Sequence, residues 1–198
     1  MRLIPWAARR SRARPAQRPT RLWSHQRVRV ALPLALVFVY LTQPTPLTLS
    51  VGAAVASLGL LVRALAAGQL YKHEALVTSG VYGATRNPLY FGSAVMGAGF
   101  AVAAHSWMAG SLLVGYFAAF YPAAMRREEQ RLRVRYGRPF EEYAARVPAF
   151  WPRPTTLGCA SAGFSWAVYR HNAEYQAATG VVLGIAALWV KALMRQGT

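Results

Sequence analysis

Pro88-Leu-Tyr-Phe-Gly-Ser-Ala-Val-Met-Gly-Ala-Gly-Phe-Ala-Val-Ala-Ala104, then His105-Ser106, then Trp107-Met-Ala-Gly-Ser-Leu-Leu-Val-Gly-Tyr-Phe-Ala-Ala-Phe-Tyr-Pro-Ala-Ala-Met125: this stretch decides the fold. Neither apolar half holds a charged residue. Pro88 suits the first position of a helix, where its missing N–H is not needed. A helix over 88–104 would be roughly 25 Å long, close to the thickness of a bilayer's hydrocarbon core. The turn between the halves is so short that the two helices must be antiparallel neighbours. Gly92, Gly97 and Gly99 let another helix or a ligand approach closely.

The same grammar continues toward the N-terminus. An apolar run from Val28 to about Leu41 is broken by Thr42-Gln43-Pro44-Thr45-Pro46. Proline lacks a backbone donor and disfavours helix at the residue before it. A second run follows from Leu47 to about Ala67, interrupted only by Arg63. Together they predict a helical hairpin. The first run is short for a span, but Arg27 and Arg29 can snorkel at its start. Residues 68–87 are polar and turn-rich and predict a structured loop with short helical pieces.

Toward the C-terminus the character changes at Arg126. Residues 126–136 predict a polar helix ending near Gly137, and a further helix begins around Pro139 and is closed by Val147-Pro148. Phe150 and Trp151 suit a membrane interface. Phe164-Ser165-Trp166 and Tyr169 to Tyr175 predict an interfacial helix, with a cover over a substrate opening as the alternative. A last apolar run spans Ala177 to about Leu193. The expected fold is an all-α, polytopic membrane helical bundle of about five transmembrane helices with cytoplasmic loops. The expected organisation is a basic flexible tail over 1–27 and a single membrane domain over 28–198.

The composition agrees. Of 198 residues, 55% are hydrophobic and only 15% charged, which is low for a soluble domain. The net charge of +17 is concentrated in the tail and in the segment 126–153. Both blocks flank apolar runs, as the positive-inside rule and anionic lipid would have it. With the N-terminus cytoplasmic, only Lys191 and Arg195 of the 23 basic residues fall outside, and a bacterial inner membrane is the expected location. No nucleic-acid motif or aromatic-interleaved basic groove is present, so no nucleic-acid partner is expected. A single cysteine, Cys159, excludes an internal disulfide, and four scattered histidines lack metal-ligand spacing, so no metal site is expected. The tail is not shaped like a signal peptide. No obligate protein partner is indicated.

This topology brings two segments to one face: 76–92 and 128–148. Glu128-Glu129 is a carboxylate pair in a chain with six acidic residues. Adjacent carboxylates repel and call for a cationic partner, which Arg126, Arg127, Arg131 or a cationic ligand would supply. Tyr82 and Tyr90 offer flat faces with hydroxyl tips, suited to an adenine ring or a sulfonium. Gly80 and Gly83 permit close backbone approach. Asn87 is expected to cap the helix beginning at Pro88. Each feature also has a plain reading: Pro with Gly as a helix start, Glu-Glu beside Arg as a solvated face.

Leu76-Val-Thr-Ser-Gly-Val-Tyr82, Arg86-Asn-Pro-x-Tyr-x-Gly92, Glu128-Glu-x-x-Leu-x-x-x-Tyr-Gly137 and Tyr143-x-x-x-Val-Pro148, taken in order, resemble the isoprenylcysteine carboxyl methyltransferases and their bacterial relatives. The phospholipid N-methyltransferases share a looser version. The resemblance covers about residues 70–153. It implies an integral membrane methyltransferase that binds S-adenosylmethionine at the cytoplasmic face, without a Rossmann fold. It implies that Leu76, Val77 and Tyr82 line the cofactor pocket, that Asn87, Pro88 and Tyr90 hold the sulfonium and amino-acid end, that Glu128 and Glu129 bind from the opposite side, and that Arg86 belongs to the cofactor site. Gln69 is a further cofactor candidate. The chain departs from the carboxyl methyltransferases at Asn87, where they have His, and at Ala124, where they have a substrate-contacting Arg. These departures leave the cofactor half intact and open the acceptor half.

A carboxylate acceptor would need no base, whereas a phenol or amine would need a proton acceptor such as Glu129 or a tyrosine. Arg126 and Arg127 are the substrate-binding candidates, with Arg127 orienting an anionic or phenolic acceptor and Arg127 and Glu129 the catalytic pair. The acceptor's lipid tail is expected to enter between the third and fourth spans. Expected acceptors are isoprenoid, prenylcysteine-like or long-chain phenolic lipids. A phospholipid amine and a non-catalytic membrane scaffold are the alternatives.

Overall fold

A computed structural model of the chain describes residues 32–71, 76–153, 161 and 163–196. The basic tail 1–27, Val28–Ala31 and Cys159 lie outside the described residues. The architecture is all-α: α1 Leu32–Leu41, α2 Pro46–Gln69, α3 Val81–Ala84, α4 Pro88–Ala104, α5 Trp107–Tyr136, α6 Arg138–Arg146, α7 Trp166–His171 and α8 Tyr175–Gln196. Among the described residues there is no strand. The boundary between two units falls inside α1, between Val37 and Phe38, and the helices from α2 onward belong to the second.

Among the described residues three helices, α2, α5 and α8, are long and apolar enough to cross a membrane, and the protein is an integral membrane protein. The other two apolar segments expected to span are shorter helices, α1 and α4. α4 is limited to 17 residues by Pro88 at its start and by His105, which adopts the left-handed conformation at its end. The expected fourth span and polar helix are one helix. α5 runs unbroken for 30 residues, through Pro122 and past Met125. The run Arg126 to Arg135 contains no glycine or proline, and its Arg, Glu, Gln and Leu residues favour helix, so the change in polarity carries no change in backbone. At 1.5 Å per residue α5 is about 45 Å long, so its basic end projects beyond a hydrocarbon layer about 30 Å thick.

α2 and α4 form the closest pair. A Cβ on Gly52 would collide with the Gly99 carbonyl and Ala103, and one on Gly59 with Met96 N and the Gly92 carbonyl. These glycines face one another, so the two backbones touch where side chains would otherwise hold them apart. The start of α2 is fixed by a reciprocal cap: Thr48 N donates to Thr45 Oγ1 and Thr45 N to Thr48 Oγ1. α8 closes the other side. Leu188 and Ala192 pack with Leu49 and Ala103, and Lys191 Nζ donates to the carbonyls of Val39 and Tyr40 at the end of α1. That ammonium satisfies carbonyls which have no partner within α1.

Candidate functional site

The residues flagged by sequence gather at the end of the bundle where α2 stops and α4 starts. Gln69, the last residue of α2, is buried, and its Oε1 accepts from Val81 N at 3.1 Å. That bond caps α3 from outside, since Gly80 (φ 61°) supplies no side chain there. A Cβ at Gly80 would strike the Gln69 amide, so the glycine is required both by its φ and by its neighbour. Leu76 is half-buried, and Val77 packs on the cluster of Ala66, Val81 and Tyr82.

Segment 84–87 is braced along its length by 148–153. Arg86 N donates to the Pro148 carbonyl (2.9 Å), Thr85 Oγ1 to the Phe150 carbonyl (3.0 Å) and Arg153 N to the Ala84 carbonyl (3.0 Å). Phe91 meets the rings of Phe150 and Trp151 at 5.7 and 6.3 Å. Tyr143, 61 residues from Tyr82 in sequence, donates its hydroxyl to the Tyr82 carbonyl at 2.7 Å. Two of the C-terminal motif residues, Tyr143 and Pro148, therefore fix the backbone of the N-terminal motif.

Asn87 occupies the N-cap position of α4 but its side chain makes no capping bond, contrary to the sequence expectation. Its amide is instead oriented by donation from Nδ2 to the Ala149 carbonyl at 2.9 Å and to Glu129 Oε1 at 3.3 Å, and Oδ1, the atom that would accept a capping N–H, makes no such bond. Glu129 also faces Arg86, with Oε2 3.5 Å from Nη1. So Arg86, Asn87 and Glu129 form one partly buried charge network between α4 and α5. Pro88 is buried beside it, and Tyr90 stacks edge-on against Tyr121 of α5 at 5.3 Å. Glu128 is exposed and has no ion pair among the described residues. Arg126 and Arg127 are exposed on α5, and Ala124, at the position where the carboxyl methyltransferases carry Arg, is buried.

Tyr82 is buried, yet its hydroxyl has no hydrogen-bond partner among the described residues; the same holds for Arg86 Nε. Burial pushes the Tyr82 hydroxyl far above the ordinary tyrosine range, and the Tyr143, Glu128 and Glu174 charges add to the rise while Arg63 opposes it. Tyr143 is likewise raised, by burial first, with Arg86 opposing and Glu129 adding. Both phenols are neutral donors at physiological pH. Buried donors without partners are costly unless a ligand satisfies them. Two such donors beside carboxylates and aromatic faces suit a ligand that carries oxygen acceptors, a cationic centre and a flat ring.

Residues 47–139 match the phospholipid methyltransferase family. The family resemblance read from the motifs is borne out over those residues, which run from the start of α2 to the start of α6. The matched phospholipid methyltransferase segment contains Gln69, Tyr82, Arg86, Asn87, Tyr90 and both glutamates of α5. Two curated relatives are similar. The cobalt-zinc-cadmium resistance protein CzcN of Cupriavidus metallidurans is 37% identical over 116 residues, covering 57% of this chain and 52% of that protein. The nickel-cobalt-cadmium resistance protein NccN of Alcaligenes xylosoxydans xylosoxydans is 38% identical over 82 residues, covering 41% of this chain and 38% of that protein. The chain thus spans about half or less of the length of these relatives. No solved structure matches.

Sequence reasoning missed Arg63, Ser93 and Glu174. Arg63 Nε donates to Glu174 Oε1 (2.5 Å), and its Nη1 reaches Ser93 Oγ and the Leu89 carbonyl. A signal existed. An arginine within an apolar helix needs a counter-charge, and Glu174 stands apart from every other acidic residue in the second half of the chain.

Proposed function

We propose that this protein is an S-adenosylmethionine-dependent membrane methyltransferase acting on a lipophilic acceptor at the cytoplasmic membrane face. The observation that carries this reading is the meeting of Arg86 and Asn87 with Glu129 inside a segment matching a methyltransferase family. The donor set fits the cofactor: Tyr82 Oη and Arg86 Nε are buried donors without partners, and Glu128 is a carboxylate without an ion pair among the described residues. Tyr82, Arg86, Asn87, Tyr90, Glu128 and Glu129 would hold it, with Leu76, Val77, Pro88 and Gln69 shaping the surround. Bound there, it supplies an electrophilic methyl group.

The chain's own residues would do the remainder. The Arg86–Asn87–Glu129 network fixes the relative position of α4 and α5, which aligns the acceptor and keeps water out. Glu129 is the proton acceptor for a phenol or amine, and a carboxylate acceptor would not use it. Arg126 and Arg127, at the exposed face of α5, meet the acceptor's polar group. The acceptor class is an isoprenoid, prenylcysteine-like or long-chain phenolic lipid. A phospholipid amine is the second reading, favoured by the family that matches residues 47–139. The relatives' names suggest that the product serves metal resistance.

An acceptor screen tests this reading. Purified protein is incubated with methyl-labelled S-adenosylmethionine and fractionated lipid extracts. Label in the organic phase that depends on the protein is the expected result, and base-labile label distinguishes an ester from a methylated amine. No transfer to any lipid fraction overturns the reading.

A further inference from the structure

α7 and the turn into α8 lie beyond the family-matched segment, yet they reach into the candidate site. Asn172 Nδ2 donates to the carbonyls of Ala67 and Leu70, capping the end of α2 beside Gln69 (2.8 and 2.9 Å). Ser165 N donates to the Gly68 carbonyl, and Phe164 lies where a Gly68 side chain would stand. Glu174, only 8% exposed, pairs with Arg63. Arg63 in turn holds the first turns of α4 through the Leu89 carbonyl, next to Tyr90, and Ser93 Oγ, just beyond the motif. The motif glycine Gly92 has its role here, because a Cβ on it would strike Arg63 Cγ. Leu89 packs on the cluster that contains Tyr82.

We propose that Glu174 and Arg63 are positioning residues of the ligand site: through this ion pair the C-terminal segment sets the first turn of α4, and with it Tyr82 and Tyr90, against bound S-adenosylmethionine. The inference rests on the cofactor reading above. Stability alone does not explain the pair. A buried ion pair gains little over an apolar pair of the same volume, and ionisable groups within membrane helices mark working sites. The electrostatic reach of both charges to the Tyr82 hydroxyl agrees with this placement.

The double variant Arg63→Met/Glu174→Met separates positioning from folding, since it removes both charges together and leaves none unpaired. S-adenosylmethionine is titrated calorimetrically into wild type and double variant in detergent, with thermal midpoints measured alongside. The expected result is an unchanged or higher midpoint with affinity weakened about tenfold or more, as misplacement remote from a reacting centre produces. A folded double variant with wild-type affinity overturns the proposal. Hydrogen exchange on the wild-type protein makes the same decision without a mutation: amides of 166–176 should slow when the cofactor is added, and unchanged exchange there, with slowing at 81–90, overturns it. If wild type binds no S-adenosylmethionine, the underlying cofactor reading fails first and this inference with it.

Discussion

The Tyr143 hydroxyl donates to the backbone carbonyl of Tyr82 across 61 residues of sequence, at 2.7 Å and out of contact with water. One side chain from α6 thus sets the height of α3. Tyr143→Phe removes the donor and leaves the Tyr82 carbonyl buried, which costs about 1–3 kcal/mol. A fall in thermal midpoint together with weaker S-adenosylmethionine binding is expected. Wild-type values for both would show that the contact is idle.

The same pair gives a pH prediction. Tyr82 and Tyr143 are both held protonated in the fold above their ordinary range. A raised pKa favours the folded state fully below the unfolded tyrosine value of about 10, and that contribution is lost progressively above it. Between pH 6 and 9 these phenols should therefore leave stability flat. Above about pH 10 stability should fall, and Tyr143→Phe should fall less steeply than wild type. Thermal midpoints across that range check the sign.

Asn87 donates to both Glu129 and the Ala149 carbonyl, so it joins three chain segments. Asn87→Asp replaces a donor with a carboxylate facing a carboxylate and a carbonyl oxygen. Loss of methyl transfer is expected at neutral pH, with Asn87→His milder because it retains a donor. Initial rates for the two variants make the comparison, and equal loss would contradict it.

Gly52 and Gly99 meet backbone to backbone. Gly99→Val inserts a branched side chain against the Ala56 and Gly52 main chain, which no rotamer relieves. Its cost should exceed the 1–3 kcal/mol usual for overpacking, and the variant should fail to accumulate in membranes. Gly115, with open space around it, is the control: Gly115→Ala should accumulate normally.

Arg127 is exposed on α5. Arg127→Ala should raise the acceptor KM while S-adenosylmethionine affinity stays unchanged. Unaltered KM and turnover would remove the substrate role assigned to it.

Local signals carried much of this fold. Pro46, Pro88 and Pro139 mark three helix starts, and Gly137 (φ 57°) marks the end of α5. The ordered motifs marked Arg86, Asn87 and Glu129, which come together. What was not legible is long-range. Arg63 and Glu174 are 111 residues apart, and no local pattern pairs them. The Asn87 amide makes no capping bond, and its orientation is set by donation from Nδ2 to the Ala149 carbonyl, 62 residues on. The continuity of α5 was hidden because polarity changes at Arg126 while helix propensity does not.

The most direct measurement of the central claim is calorimetric titration of S-adenosylmethionine into the purified wild-type protein and into Glu129→Gln. Saturable binding at one site per chain is expected for wild type, with clear weakening in the variant, because Glu129 loses its charge beside Arg86. No heat of binding to wild type, or the same affinity in both proteins, would contradict the account.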